Sequence, residues 1–139
     1  MKLPAYLITA FFLLPSFVQS AEIDDARDVA TIILQKFERK QNRALWKEHV
    51  SNWMKNKMTE EAFLAEMSTV QAQLGGTSSD RKIVRQTSAP IPGSGYSGTV
   101  YAFTFSASFP SAKAYEMVFL IREDGEYRIS GIRYSPNTN

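Results

Sequence analysis

Cysteine is missing from all 139 residues, and histidine occurs once, at position 49. The first absence excludes disulfides, zinc thiolate sites, cysteine nucleophiles and a lipid anchor on an N-terminal cysteine. The second leaves no imidazole pair for a histidine-rich metal site. His49 follows Glu48 in a polar stretch, where an exposed surface histidine is the plain reading. No G-x-S-x-G elbow occurs, and GSGYSG at 93–98 lies between strand signals rather than ahead of a helix. It therefore reads as a glycine turn and not as a phosphate cradle. The aspartates add no candidate base: three open a helix, Asp80 ends a loop and Asp124 makes a turn. No catalytic residue, metal or cofactor is assigned. The net charge of +2 includes Lys2, and without it the chain is nearer neutral, so nothing global points to nucleic acid.

Long hydrophobic runs are missing too. AYLITAFFLL, Ala5 to Leu14, is the main one, and it falls short of the roughly 20 apolar residues that span a bilayer. Behind Lys2 it suits the core of a secretory signal peptide, with Val18 and Ser20 at the minus three and minus one positions. Residues 1–20 are expected to be that leader, cleaved after Ser20 or after Ala21, and residues 21–139 a single domain. The expected location is periplasmic or secreted, and soluble. Without disulfides, such a domain stands on its hydrophobic core alone.

What is present falls into two halves. From Asp24, the residues Ala26, Val29, Ala30, Ile33 and Phe37 recur at helical spacing, with Asp24, Asp25 and Asp28 in the expected first turns and Lys36, Arg39 and Lys40 in the last. A short second helix or helical turn is expected around Trp46, Val50 and Trp53. Thr59 reads as the N-cap of a third, whose stripe Phe63, Met67, Val70 and Leu74 ends at Gly75-Gly76. Beyond Arg81 the pattern is β, with strands expected at 82–87, 98–107, 114–123 and 126–134. Asp124-Gly125 is a two-residue hairpin signal, since a type I′ turn needs positive φ. Helices first and an antiparallel meander after make an α+β domain.

Glu116 stands out as an acid deep in an apolar strand. Counting back from Asp124-Gly125, Glu123 faces Glu126, Leu120 faces Ile129, Val118 faces Gly131 and Glu116 faces Arg133. Pairing with a guanidinium favours the ionised carboxylate, the wrong direction for a general base working near neutrality. Glu116, Arg133 and Arg81 are the candidate polar cluster, structural or ligand-reading. Trp46, Tyr96 and Tyr127 are the candidate pocket or interface residues. The same count puts Tyr115, Met117, Phe119, Ile121, Ile132 and Tyr134 on one face of the hairpin, and Val118, Leu120, Tyr127 and Ile129 on the other. Helices cover one face, so a cavity, a partner or a second copy is expected at the other. The basic segment 36–57, with Trp46 and Trp53 interleaved, has two readings: contact with an anionic membrane surface, or, favoured here, a solvated helical face anchored by its tryptophans.

The order Trp46, QLGG, Arg81, IPGSGY, FTFSASF, YEMVFL and EDGEYRISG resembles a bacterial exported family known as domain of unknown function 4019. The chain departs from that pattern at Gln71, Tyr127 and Ile132. The resemblance implies a cystatin-like cone of the kind shared by nuclear transport factor 2 and ketosteroid isomerase, with N-terminal helices packed in the curve of an antiparallel sheet. Three functions follow as alternatives. The leading one is a non-enzymatic envelope module that binds a small molecule or a protein. The others are an isomerase- or hydratase-like enzyme with Glu116 as base, and an immunity or inhibitor protein.

Overall fold

The computed structural model describes residues 4–138, with side chains described from Ala21 onward. The expected leader and its cleavage positions up to Ser20 lie outside the residues whose side chains are described. Four helices, α1 (Pro4–Glu38), α2 (Asn42–His49), α3 (Asn52–Lys55) and α4 (Glu60–Leu74), precede four strands, β1 (Ser79–Ala89), β2 (Val100–Ser108), β3 (Lys113–Glu123) and β4 (Glu126–Pro136). The strands form one antiparallel sheet in the order β1-β2-β3-β4, an α+β fold. Among the described residues no helix is long and apolar enough to cross a membrane.

α1 is longer than the periodicity from Asp24 predicts, because the apolar residues before it continue the same helix. The three aspartates therefore sit inside it rather than at its start, where Asp24 pairs with Arg27 at 3.2 Å. Its far end turns at Lys40, whose φ of 58° is left-handed. The expected second helix is two: Val50 and Ser51 run extended between them and hold the edge of β4, with Ser51 N donating to Ile129 O at 2.9 Å. Ser51 then caps α3 by accepting from Met54 N. Thr59 caps α4 by accepting from Ala62 N, and Gly75 ends it at φ 79°, where glycine carries no Cβ penalty.

One face of the sheet is the core. Tyr101, Phe103 and Phe105 of β2, Val118 and Leu120 of β3 and Ile129 of β4 pack with Ile33, Leu34 and Phe37 of α1 and Phe63 of α4. Tyr134 of β4 stacks on Phe37 with ring centroids 5.0 Å apart. The side-chain amides of Asn42 and Gln71 bond to each other, and Gln71 also donates to Phe37 O at 2.7 Å, which ties α1, α2 and α4 together.

The hairpin register departs from the count above. Glu123 faces Glu126 and Leu120 faces Ile129, but Phe119 then faces Gly131, so β4 carries Ser130 as an extra residue. Such a bulge shifts every later residue by one and turns its side chain to the opposite face. Glu116 consequently faces Tyr134, and Arg133 faces Met117 on the side away from the helices. Ile132 and Tyr134 move to the helix side for the same reason, leaving the outer face less apolar than expected.

Candidate functional site

Glu116 is fully buried, at 0 % exposure, among aromatic and aliphatic neighbours. A carboxylate there requires partners, and it has them, though not Arg133. Arg81 donates from Nε to Oε2 at 2.7 Å and from Nη2 to Oε1 at 3.0 Å, a bidentate fork. Tyr134 donates its hydroxyl to Oε1 at 3.2 Å. Arg81 Nη2 also donates to Glu38, the last residue of α1. Glu38 in turn accepts from the backbone and the hydroxyl of Ser78.

Arg81 reaches this position through a break in β1. Ser79 faces Ser108 but Lys82 faces Ser106, which leaves one extra residue on β1, and Asp80 takes a left-handed φ of 53°. Asp tolerates that conformation better than most residues. A bulge next to Arg81 re-aims its side chain, from an otherwise exposed edge strand toward the helix side of the sheet. The guanidinium also offsets Glu38, a negative charge at the unfavourable end of a helix. Burial lowers the Arg81 pKa, but the bonds and charges of Glu116 and Glu38 outweigh it, so the net shift is upward. Burial first, and the Glu116 charge and bond after it, hold the Tyr134 hydroxyl well above its usual 10. The cluster locks α1, β1, β3 and β4 together with all its groups bonded. A general base needs an accessible carboxylate, whereas both oxygens here are occupied and enclosed.

A second arrangement lies on the other face. A cleft of about 400 Å³ opens between the β1–β2 connection and the outer side of β3 and β4, lined by Trp53, Ile91, Tyr96, Phe119, Gly131 and Arg133 among others. Trp53 is set by Glu123, whose carboxylate accepts from Asn52 N at 2.8 Å and Trp53 N at 3.1 Å. Tyr96 meets Trp53 edge-on with centroids 5.8 Å apart. Gly98 permits that ring position, since a Cβ on it would lie 2.8 Å from the Tyr96 ring. Gly131 likewise leaves room for Phe119, whose ring would be 3.2 Å from a Cβ there. The Arg133 side chain is exposed and makes no ion pair or hydrogen bond among the described residues.

The expected site residues thus divide. Glu116 and Arg81 come together inside, while Arg133 joins Tyr96 outside. Trp46 packs on Phe63 at 5.4 Å with Lys55 over its ring, and Tyr127 meets Tyr101 at 5.1 Å, so neither lines the cleft. His49 is only partly exposed and accepts from Lys36 Nζ at 2.9 Å, the bond of a neutral ring. Burial, then the Lys36 charge, lowers its pKa. Sequence reasoning missed Glu38, Tyr134 and Ser78 in the inner cluster, and Trp53 and Phe119 in the cleft. The one available signal was Gly131, since an isolated glycine in a strand marks a bulge.

The geometry defines a small α+β protein with a closed ionic cluster on one sheet face and an aromatic cleft on the other. The chain belongs to the family described as protein of unknown function, DUF4019, which it matches over residues 29–132. It is also similar to Polyketide synthase 2 of Metarhizium anisopliae, 31% identical over 94 residues, and to Polyketide synthase 2 of Metarhizium robertsii, 32% identical over 94 residues. Each match covers 68% of this chain but 4% of the synthase, so the chain spans a small fraction of those relatives. No solved structure matches it significantly.

Proposed function

We propose that the chain is an exported, non-enzymatic binding module of the cell envelope that meets a small molecule or a protein with the sheet face turned away from its helices. The observation that carries this reading is the contrast between the two faces. The buried acid is consumed by Arg81 and Tyr134, whereas Arg133 stands free beside an open aromatic cleft. Free charge next to apolar surface suits recognition, and a fully bonded carboxylate suits architecture. Export rests on Lys2, the apolar run Ala5–Leu14 and the small residues before Ala21. Glu22, just past the expected cleavage, is held by the Tyr101 hydroxyl at 3.0 Å and by Arg122 at 3.4 Å, which would anchor the new end.

Two measurements test this. Expression of the full chain in a bacterial host, followed by fractionation and N-terminal sequencing, is expected to give an envelope or secreted product beginning at Ala21 or Glu22. A cytosolic product retaining Met1 would contradict export. Immobilised chain is expected to retain a species from envelope extract that an Arg133→Glu, Tyr96→Ala variant does not. Equal retention by both would contradict the use of this face.

A further inference from the structure

We infer that the outer cleft is a binding site for a small carboxylate with a flat apolar body. This rests on the reading that the outer face binds, and it adds the chemical class of the ligand. Three observations converge.

Size comes first. A volume of about 400 Å³ lies near the lower end of the roughly 300–1,000 Å³ of small-molecule sites, too small for a folded surface to enter. Shape comes second. Trp53, Tyr96 and Phe119 surround the space, and ring faces favour a flat apolar guest through stacked and edge contacts. Their positions are built in by Glu123 at the start of α3, by the absence of a side chain at Gly98 and by the absence of one at Gly131. The connection above them is also shaped locally: the Ser94 hydroxyl donates to Tyr96 O and accepts from Tyr96 N, both at 3.2 Å, between two left-handed glycines, Gly93 and Gly95.

Charge comes third. Arg133 is the charged side chain in the lining, no acid lines the cleft, and the guanidinium has no partner among the described residues. Lys57 Nζ sits 4.6 Å from the centre of the Trp53 ring and adds positive potential nearby. A guanidinium presents two parallel donors that fit a carboxylate's two oxygens. Arg133 is the one guanidinium in the lining and balances one negative charge, which favours a monoanion over a phosphate monoester carrying nearly two. The Ser130 bulge is what turns Arg133 to this face, so the same irregularity that removes Arg133 from Glu116 delivers it to the cleft.

The test titrates the ¹⁵N-labelled full chain with 2-naphthylacetate and, separately, with 2-naphthylacetamide, which has the same shape and no charge. The acid is expected to shift the Trp53 indole and the amides of Gly93 and Gly131, and to bind roughly tenfold more tightly than the amide. Arg133→Gln is expected to erase that preference by bringing binding of the acid down to the level of the amide. Gly98→Ala, which displaces the Tyr96 ring, is expected to weaken both. Equal binding of acid and amide, a preference that survives Arg133→Gln, shifts elsewhere, or no binding of either at millimolar concentration would each overturn the assignment. If the assignment fails while a species from envelope extract still depends on Arg133 and Tyr96, only the ligand class falls. If that dependence is absent too, the reading of the outer face falls with it.

Discussion

Arg81 and Arg133 are carried by the two edge strands of one sheet, and their environments are opposite. Arg81 is pulled inward by a bulge in β1 and held by two carboxylates. Arg133 is pushed outward by a bulge in β4 and held by none of the described groups. The residue type is the same, so the difference lies in backbone register. For each arginine, one extra residue earlier in its strand decides whether the guanidinium is part of the scaffold or available for recognition.

The comparison breaks most sharply under substitution. Glu116→Ala leaves the partly buried Arg81 beside Glu38 with half its partners gone, and a loss of about 3–5 kcal/mol in urea unfolding is expected. Arg133→Ala, from an exposed position without partners, is expected to stay within about 0.5 kcal/mol of the native chain. Equal losses would remove the distinction between the two arginines.

A smaller effect sharpens the inner side alone. Tyr134 has its pKa raised by burial and by Glu116, so the folded state keeps the phenol protonated when the unfolded chain ionises. The stability this provides is complete below about pH 10, the unfolded value, and falls as pH rises above it. Tyr134→Phe is expected to cost about 1 kcal/mol at neutral pH and to flatten that alkaline decline. A residual slope belongs to Tyr101, pushed up to about 12 by burial and by Glu22, and to Tyr127, raised chiefly by burial. An unchanged alkaline limb in Tyr134→Phe would show that Tyr134 does not supply that decline.

The smallest effect lies at the acid end. His49 has its pKa lowered, so its contribution is present above the unfolded value near 6.5 and is lost as pH falls below it. Protonation also removes the acceptor for Lys36. Stability measured from pH 7 to pH 5 is expected to fall by under about 1 kcal/mol from this source, and His49→Gln to remove that share. A decline that is identical in His49→Gln would assign it to other groups.

The helices and the sheet were legible because their signals are local. Thr59, Gly75 and Asp124-Gly125 each mark a boundary through their own backbone chemistry, and the apolar spacing around Phe37 and Phe63 marks the buried faces. The hairpin register was legible from Asp124-Gly125 as far as Ile129 and no further. Ser130 has no property that announces an extra residue, and Gly131 was the neighbouring hint. The candidate cluster was half legible. Glu116 is conspicuous in its strand, and Arg81 is conspicuous at the change from helix to sheet. Their meeting depends on Asp80 taking a left-handed φ and on Glu38 arriving from the end of α1, and neither is encoded near Glu116. Long-range contacts of this kind follow from the packed fold and not from local pattern. The cleft was less legible still, because Trp53 and Tyr96 are far apart in sequence and meet only through tertiary packing.

The central claim is that Glu116 works with Arg81 and not with Arg133. Two double-mutant cycles at pH 7 test it most directly, one combining Glu116→Gln with Arg81→Met and the other combining it with Arg133→Met, each read by urea unfolding. A coupling of about 1–3 kcal/mol is expected between Glu116 and Arg81, and less than about 0.5 kcal/mol between Glu116 and Arg133. Coupling to Arg133 with none to Arg81 would contradict the account.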